Sequence, residues 1–571
     1  MMAHTLDNVS VRWIMAAQIM EALSESLGRA LVDAKLIDVT QLEYAHQKNI
    51  VHRDAMWHTV VESGLVSERD VAKTLAQLQN IPFIDIDDVP DADSALMDIF
   101  NRELCLNGNF LPISRDGQEV VVLIGDALPA TVSETVLRRC GMRCRFLQSE
   151  FSAVKRLILY TYYFSQHPPE KLFAREIDHL GADIRHEMSP DNLLKYMLHL
   201  AVKERTTDIH LTPGVRSLHV LFRIDGVLRP IKALPASLGR LLGYIKLLSD
   251  MDISEARKPQ DGSFQTTVLD TQFTVRVSTI VAEHGERMVM RLLPEAHDLK
   301  GLRELGFFED DVRKIALKMD CPAGLILITG PTGSGKSSTL HAGLRMQKLI
   351  ERNVLTVEDP LEYRVPGAGQ TEVNRRAGYD FTTALRHFLR HDPDVILLGE
   401  MRDAETAQAA LEAAATGHLV LSTLHITNVF GVVPRLRPMG LLPQVIAENL
   451  LLVINQRLVR RVCPFCTHDV PFSVAECIWL GVSESTLGKR GLGCAKCHHT
   501  GFFGRMPVYE ILSVNDTLAN AIADDAGRET VRRVAFDTGF EPITEIAKRR
   551  VILGQTTCDE VLRVIGEGVP A

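Results

Sequence analysis

The sequence predicts a multidomain α/β protein, and three observations carry that prediction. At 571 residues the chain exceeds what one core can organise and should hold about three to five domains of roughly 100–200 residues each. Residues 297–571 alternate apolar strands with helical patterns, the mark of a parallel sheet with helices on its faces. Within that block an apolar strand leads into Gly330-Pro331-Thr332-Gly333-Ser334-Gly335-Lys336-Ser337 and a helix leaves it. That is G-x-x-x-x-G-K-[ST] in the context the motif requires.

Taken in chain order, residues 27–80 hold an imperfect repeat in which Leu27–Ile37 aligns with Met56–Val66 at an offset of 29. An amphipathic helix follows each copy, Val39–Ala45 and Glu68–Leu78. Ile81–Ile86 and Glu119–Ile124 read as strands and Thr131–Cys140 as a helix, so residues 26–160, or 1–160 with the leading segment, form an α+β N-terminal domain. Residues 161–187, with His167-Pro168-Pro169 and mixed charge, read as a linker that is partly helical. A second α+β domain spans 188–296, with a helix at Pro190–Glu204 and strands Leu218–Ile224, Phe264–Val268, Phe273–Ser278 and Arg287–Leu293. The third block, 297–571, has strands Leu325–Thr329, Val354–Val357, Val395–Leu398 and Leu419–Thr423, with the helix Ser338–Leu349 after the glycine-rich loop.

Composition excludes several classes. Lys+Arg 63 against Asp+Glu 72 gives a net charge of −9, so no global basic field exists to attract nucleic acid. The apolar runs fall far short of the ~20 residues of a membrane span, and Met1–Val11 lacks the pattern of a secretory signal. Ten cysteines in so long a chain are too sparse for a disulfide framework, which fits a reducing cytosol.

The glycines of 330–335 let backbone N–H groups turn inward around phosphate, and the following helix adds its positive end. Lys336 should reach the β/γ-phosphates and Ser337 should ligate Mg²⁺. Hydrolysis also needs carboxylates, and two acidic groups end predicted strands: Glu358-Asp359-Pro360-Leu361-Glu362, and Glu400, with Asp394 at the start of the latter strand. His418 and His425 bracket a further strand, where they are either structural or placed to sense a γ-phosphate or a neighbouring subunit. Cys463-x-x-Cys466 and Cys494-x-x-Cys497, with 27 residues between the pairs, have the spacing of a closed four-cysteine zinc site, structural rather than catalytic. A redox pair is the competing reading.

These stretches resemble the secretion ATPase superfamily, specifically the type II secretion and type IV pilus assembly ATPases. Gly330–Ser338, Thr356–Tyr363, Leu389–Asp403 and Thr416–His425 look like its Walker A, Asp box, Walker B and His box, in family order. Thr207–Leu211, Phe222–Gly226, Pro259–Gly262, Arg276–Thr279 and Gly285–Arg287 add further matches. The resemblance implies a RecA-like ATPase domain, a PAS-like second domain and a zinc insertion at 459–505. It implies ATP held by Gly330, Pro331, Thr332, Gly333, Ser334, Gly335, Lys336, Ser337 and Ser338, with His418 and His425 near it. It also makes Glu362 the water-polarising residue, Glu400 the Walker B carboxylate, and Arg276 and Arg291 the arginines that the second domain brings to the nucleotide. The implied assembly is a cytoplasmic homohexamer, peripheral to the inner membrane, working with a membrane platform protein and a cytoplasmic docking protein on pseudopilus or pilus subunits. The cysteine cluster favours assembly over retraction. Alternatives are a DNA-uptake or conjugation ATPase of the same superfamily, or a nucleotide-binding scaffold.

One departure stands out. Residues 27–80 are similar to the paired motif that binds cyclic di-GMP in some assembly ATPases, which expects Arg and Gln in each copy. Here Ser26 and Ala55 replace the Arg, Asn49 and Leu78 replace the Gln, and Trp57 takes the place of a Gly. The expectation is a retained fold without the ligand, used for docking.

Overall fold

The apolar runs at 324–424 become the centre of a seven-stranded sheet in the computed structural model, which describes residues 21–52, 55–126, 128–182, 190–294, 300–347 and 351–566. The leading segment Met1–Val11 and the end of the expected helix Ser338–Leu349 lie outside the described residues. Two units form, one from 1–34 with 68–297 and one from 35–67 with 298–571.

The first unit carries two sheets. In the smaller, β1 (Phe110–Asp116) runs antiparallel to β2 (Glu119–Ile124), and β3 (Arg143–Gln148) pairs parallel to β2. The expected strand at Ile81–Ile86 does not form. Pro82 has no N–H to give a ladder, and only Phe83 makes a bridge, to Gln148. The stretch from 161, expected as a linker, is helical where described, in Phe151–Gln166 and Pro169–Ala182. Tyr162, Phe173 and Ile177 are buried there.

The larger sheet of this unit is antiparallel throughout. Its strands are β4 (Thr206–Pro213), β5 (Ser217–Ile224), β6 (Val227–Pro235), β7 (Gln260–Val268), β8 (Thr271–Ala282) and β9 (Gly285–Pro294), in the order β6-β5-β4-β9-β8-β7. Alternation sets its two faces. On β8, Phe273, Val275, Val277 and Thr279 are buried while Arg276, Ser278 and Ile280 face out. The helix Pro190–Lys203 covers the inner face with Leu193, Leu194, Met197, Leu198 and Ala201, a helical stripe. Strands β4 and β6 were not legible as strands, because their apolar residues are interrupted by Asp208 and His210 in one and by Arg229, Pro230 and Lys232 in the other.

In the second unit β10 (Gly324–Thr329), β11 (Val354–Glu358), β12 (Gly369–Glu372), β13 (Val395–Leu398), β14 (Leu419–Leu424) and β15 (Leu450–Val462) run parallel in the order β12-β11-β13-β14-β10-β15. Every residue of β10, β13 and β14 is buried, as a parallel sheet covered on both faces requires. Between β15 and its antiparallel neighbour β18 (Phe502–Ser513) the chain makes an excursion. There β16 (Thr467–Pro471) and β17 (Leu487–Gly491) form a ribbon, joined through the helix Val474–Leu480. The helix after the glycine-rich loop starts at Lys336 and ends at Leu344, and the helix expected at Val39–Ala45 continues to His52. Among the described residues no helix is long and apolar enough to cross a membrane.

Candidate active site

Parallel pairing puts the C-terminal ends of β10, β11, β13 and β14 on one edge of the sheet, where loops meet ligands. From β10 the chain turns into Gly330–Ser337. Gly330, Gly333 and Gly335 all have positive φ. At Gly330 a Cβ would lie 2.5 Å from the Gln456 carbonyl oxygen, so only glycine fits there. Gln456 of β15 braces the loop from beside it by donating through Nε2 to the Ser334 carbonyl at 2.7 Å.

Lys336 opens the helix and folds back over the loop, with Nζ 3.1 Å from the carbonyl oxygens of Gly330 and Pro331. Burial lowers its proton affinity below the ordinary lysine value; Glu400 and Glu362 pull upward and Arg457 adds to the lowering. The ammonium thus feels both carboxylates and one further cation. Ser337 is half-buried beside it, and its carbonyl accepts from His341 Nδ1 at 2.8 Å. The Ser338 hydroxyl is bonded to Tyr363 Oη at 2.8 Å, which ties the start of the helix to the loop after β11.

The acidic run after β11 divides its labour. Glu358 is buried and pairs with His341 Nε2 at 3.0 Å, while also accepting from Thr356 Oγ1 at 2.9 Å. Burial opposes a charge on His341, but Glu358 outweighs it and raises the imidazole above its usual value. Asp359 pairs with Arg375 at 2.9 Å. Glu362 is exposed and, of this run, is the carboxylate left available for a water molecule.

At the end of β13 Glu400 is engaged by Arg402 Nε at 2.7 Å and stands 3.6 Å from His425 Nε2, just past β14. Burial and then Lys336 lower the His425 proton affinity, Glu400 opposes them, and Arg402 lowers it further; the imidazole is neutral near pH 7. Lys336, Glu362, Glu400 and His425 therefore share one electrostatic environment.

His418 does not join them, which corrects the expectation. It precedes Leu419, and seven residue steps along β14, at about 3.3 Å each, separate it from His425 by roughly 23 Å. Its Nδ1 donates to the Ala413 carbonyl at 2.9 Å, closing the end of the helix Ala404–Ala415. Asp394 lies on the same far edge and accepts from the Asn353 N–H at 2.7 Å. Arg276 and Arg291, on β8 and β9, are cross-strand partners on the outer face of the antiparallel sheet, and Arg291 Nε is 2.9 Å from Asp208.

Sequence reasoning missed Asn455, Gln456 and Arg457. Asn455 links Thr329 Oγ1 (3.3 Å) to the buried Glu510 (3.0 Å). Arg457 is half-buried and, among the described residues, donates to neutral acceptors: the carbonyls of Thr427 (3.0 Å) and Gln456 (3.2 Å), and Asn455 Oδ1 (3.3 Å). The available signal was a polar triplet breaking an otherwise apolar run, Leu450–Leu458.

In the excursion between β15 and β18 the four cysteines converge, all sulfurs lying within 4.8 Å of one another. Three separations are 3.8, 3.8 and 3.7 Å. A tetrahedron with metal–sulfur bonds of about 2.3 Å has edges of about 3.8 Å. Backbone N–H groups of Gly493 (to Cys466, 3.3 Å), Cys494 (to Cys497, 3.1 Å) and Gly501 (to Cys497, 3.3 Å) point at sulfur, as thiolates demand. Burial raises the Cys497 thiol, but the N–H groups of Cys494 and Gly501, with the Cys494 and Cys466 sulfurs, outweigh it and bring the value down to about 6, while burial pushes the Cys463 and Cys466 thiols up. The donor set fits a tetrahedral thiolate-bound metal.

A glycine-rich phosphate loop at the carboxyl edge of a parallel sheet, facing acidic strand ends, defines a P-loop nucleoside triphosphatase. Residues 186–563 match the family of type II/IV secretion system proteins, and residues 79–166 match the MshEN domain. Type II secretion system protein E of Aeromonas hydrophila is 42% identical over 378 residues, covering 66% of this chain and 75% of that protein. The type IV pilus assembly ATPase PilB of Thermus thermophilus is 34% identical over 519 residues, 88% of this chain and 58% of PilB. The solved Legionella pneumophila ATPase DotB aligns with 66% of this chain and 96% of its own, at 22% identity and a TM-score of 0.49. The chain belongs to the type II/IV secretion system protein family, that of the secretion and pilus-assembly ATPases.

Proposed function

We propose that this chain is a cytoplasmic, hexameric ATPase, peripheral to the inner membrane, that drives pseudopilus or pilus subunits through a membrane platform protein. The observation that supports it most is the joint placement of Lys336, Glu362 and Glu400 around one phosphate loop in a chain of this family. Backbone N–H groups of 330–337 and Lys336 would bind the phosphates of ATP, with Ser337 as a Mg²⁺ ligand and Glu400 acting on the ion through water. Mg²⁺ held there would supply positive charge against that developing on the phosphates. Glu362, exposed and within the field of the same ammonium, would orient the attacking water. Arg276 and Arg291, from a PAS-like second domain, would complement charge on the transferred phosphoryl group; Arg291 would then exchange Asp208 for phosphate.

Cys463, Cys466, Cys494 and Cys497 would hold zinc as a structural cross-link at the base of the excursion, leaving no open position for catalysis. The N-terminal domain would dock to a cytoplasmic partner rather than bind cyclic di-GMP. Trp57 is buried and Asn49 is engaged by Thr59 at 3.4 Å, so neither is free to read a guanine edge. Steady-state phosphate release by the purified full chain, with metal analysis of the same sample, tests this reading. Mg²⁺-dependent turnover and about one zinc per chain are expected. ATP binding without phosphate release would leave a scaffold, and protein without zinc would remove the cross-link.

A further inference from the structure

Glu362 sits on a stretch of chain that regular structure does not hold. Residues 359–364 belong to no helix or strand, and among the described residues the Glu362 carboxylate makes no hydrogen bond or ion pair. A group that must orient a water molecule loses most of its effect when it strays by an ångström. Its place therefore depends on how the chain is held on either side.

Both sides are held, and by one helix. Upstream, Glu358 and His341 are buried, with Oε2 and Nε2 3.0 Å apart. His341 is fixed in turn, its Nδ1 donating to the Ser337 carbonyl at 2.8 Å and its ring centred 5.0 Å from that of Tyr363. Downstream, Tyr363 Oη meets the Ser338 hydroxyl at 2.8 Å. Gln370 of β12 joins the two ends. Its Nε2 donates to the Tyr363 carbonyl at 2.9 Å and lies 3.4 Å from Glu358 Oε1, while its Oε1 accepts from the Val365 N–H at 2.7 Å. Ser337, Ser338 and His341 all belong to the helix Lys336–Leu344 that leaves the phosphate loop. Spacings of three and four residues put them on one side of that helix, the side that meets the chain after β11.

We propose that His341 and Tyr363 are positioning residues for hydrolysis: they tie residues 358–363 to the helix of the phosphate loop and so hold Glu362 in register with the bound phosphates. The inference rests on the reading of Glu362 as the residue that orients water. Both ties run to the helix that carries Lys336 and Ser337, so the carboxylate is placed relative to the groups that grip the nucleotide.

Turnover and Mg·ATP affinity of the full chain, measured on Tyr363→Phe and His341→Ala and on each of these combined with Glu362→Gln, test the proposal. Each single change should lower kcat about fivefold, the worth of one ordinary hydrogen bond, and leave ATP affinity within about twofold. His341→Gln, whose amide can still reach Glu358, should recover part of the loss. Combined with Glu362→Gln, neither change should lower the residual turnover further, because both act through the carboxylate already removed. Tyr363→Phe deletes one hydroxyl at a half-buried position and carries the test should His341→Ala fail to fold. Losses of affinity that match those of kcat, or the same fold-loss of kcat with and without Glu362, would make the ties structural support alone and overturn the proposal. An inactive Glu362→Gln beside tie variants of unaltered turnover would overturn it too, while sparing the reading of Glu362. A Glu362→Gln chain of unaltered turnover would overturn both.

Discussion

The two edges of the ATPase sheet carry the same kinds of residue and do different things with them. At the carboxyl edge stand His425, Glu400 and Glu362, and at the amino edge stand His418 and Asp394. His425 and Glu400 remain within each other's reach and within the field of Lys336. His418 and Asp394 are consumed by backbone, one donating to the Ala413 carbonyl and the other accepting from the Asn353 N–H. Strand direction explains the difference. The carboxyl edge of a parallel sheet receives the positive ends of the following helices and loops free to shape a site. The amino edge receives helix C-termini, whose spare carbonyls take up nearby donors. Residue type alone could not separate His418 from His425; their position along one strand does.

Lys336→Ala should widen the contrast most. It removes the charge at the centre of the carboxyl edge, so ATP binding should weaken and phosphate release should fall by about 10²–10³-fold. Next in size, Arg457→Ala should cost roughly 10–100-fold in kcat/KM, since hydrogen bonds from a charged donor are worth ~1.5–3 kcal/mol. A role in reading the triphosphate predicts a larger loss of affinity for ATP than for ADP, partly restored by Arg457→Lys. Equal losses for both nucleotides would make Arg457 a purely structural brace for Thr427. The smallest effect sets the two histidines against each other. His425→Ala should slow turnover about fivefold, the worth of one ordinary hydrogen bond. His418→Ala should leave turnover within about twofold and lower stability by ~1 kcal/mol, read from urea unfolding. A reversed order would break the comparison.

Much of this was legible in the sequence for identifiable reasons. The buried strands β10, β11, β13 and β14 are continuous apolar runs, and the phosphate loop and cysteine pairs are spacing motifs whose geometry is fixed by the ligand chemistry. The rest was hidden by local exceptions. Edge strand β12 has no apolar pattern, because Gly369–Glu372 is mostly solvated. The apolar signal of β15 breaks at Asn455-Gln456-Arg457, of which Gln456 braces the phosphate loop. At Ile81–Ile86 the apolar pattern was present but Pro82 withheld a donor, and no strand followed. Glu358 and Glu362 look alike in the sequence; only the burial of Glu358 against His341 shows that it is already occupied.

In the proposed mechanism hydrolysis runs on the exposed carboxylate after β11, with Glu400 serving the metal from β13. Phosphate release and nucleotide affinity measured together on Glu362→Gln and Glu400→Gln test it most directly. Glu362→Gln should keep ATP affinity near that of the unaltered chain while hydrolysis drops by about 10²–10³-fold. A Glu362→Gln chain that hydrolyses ATP at the unaltered rate, beside an inactive Glu400→Gln, would place the base on β13 and contradict it.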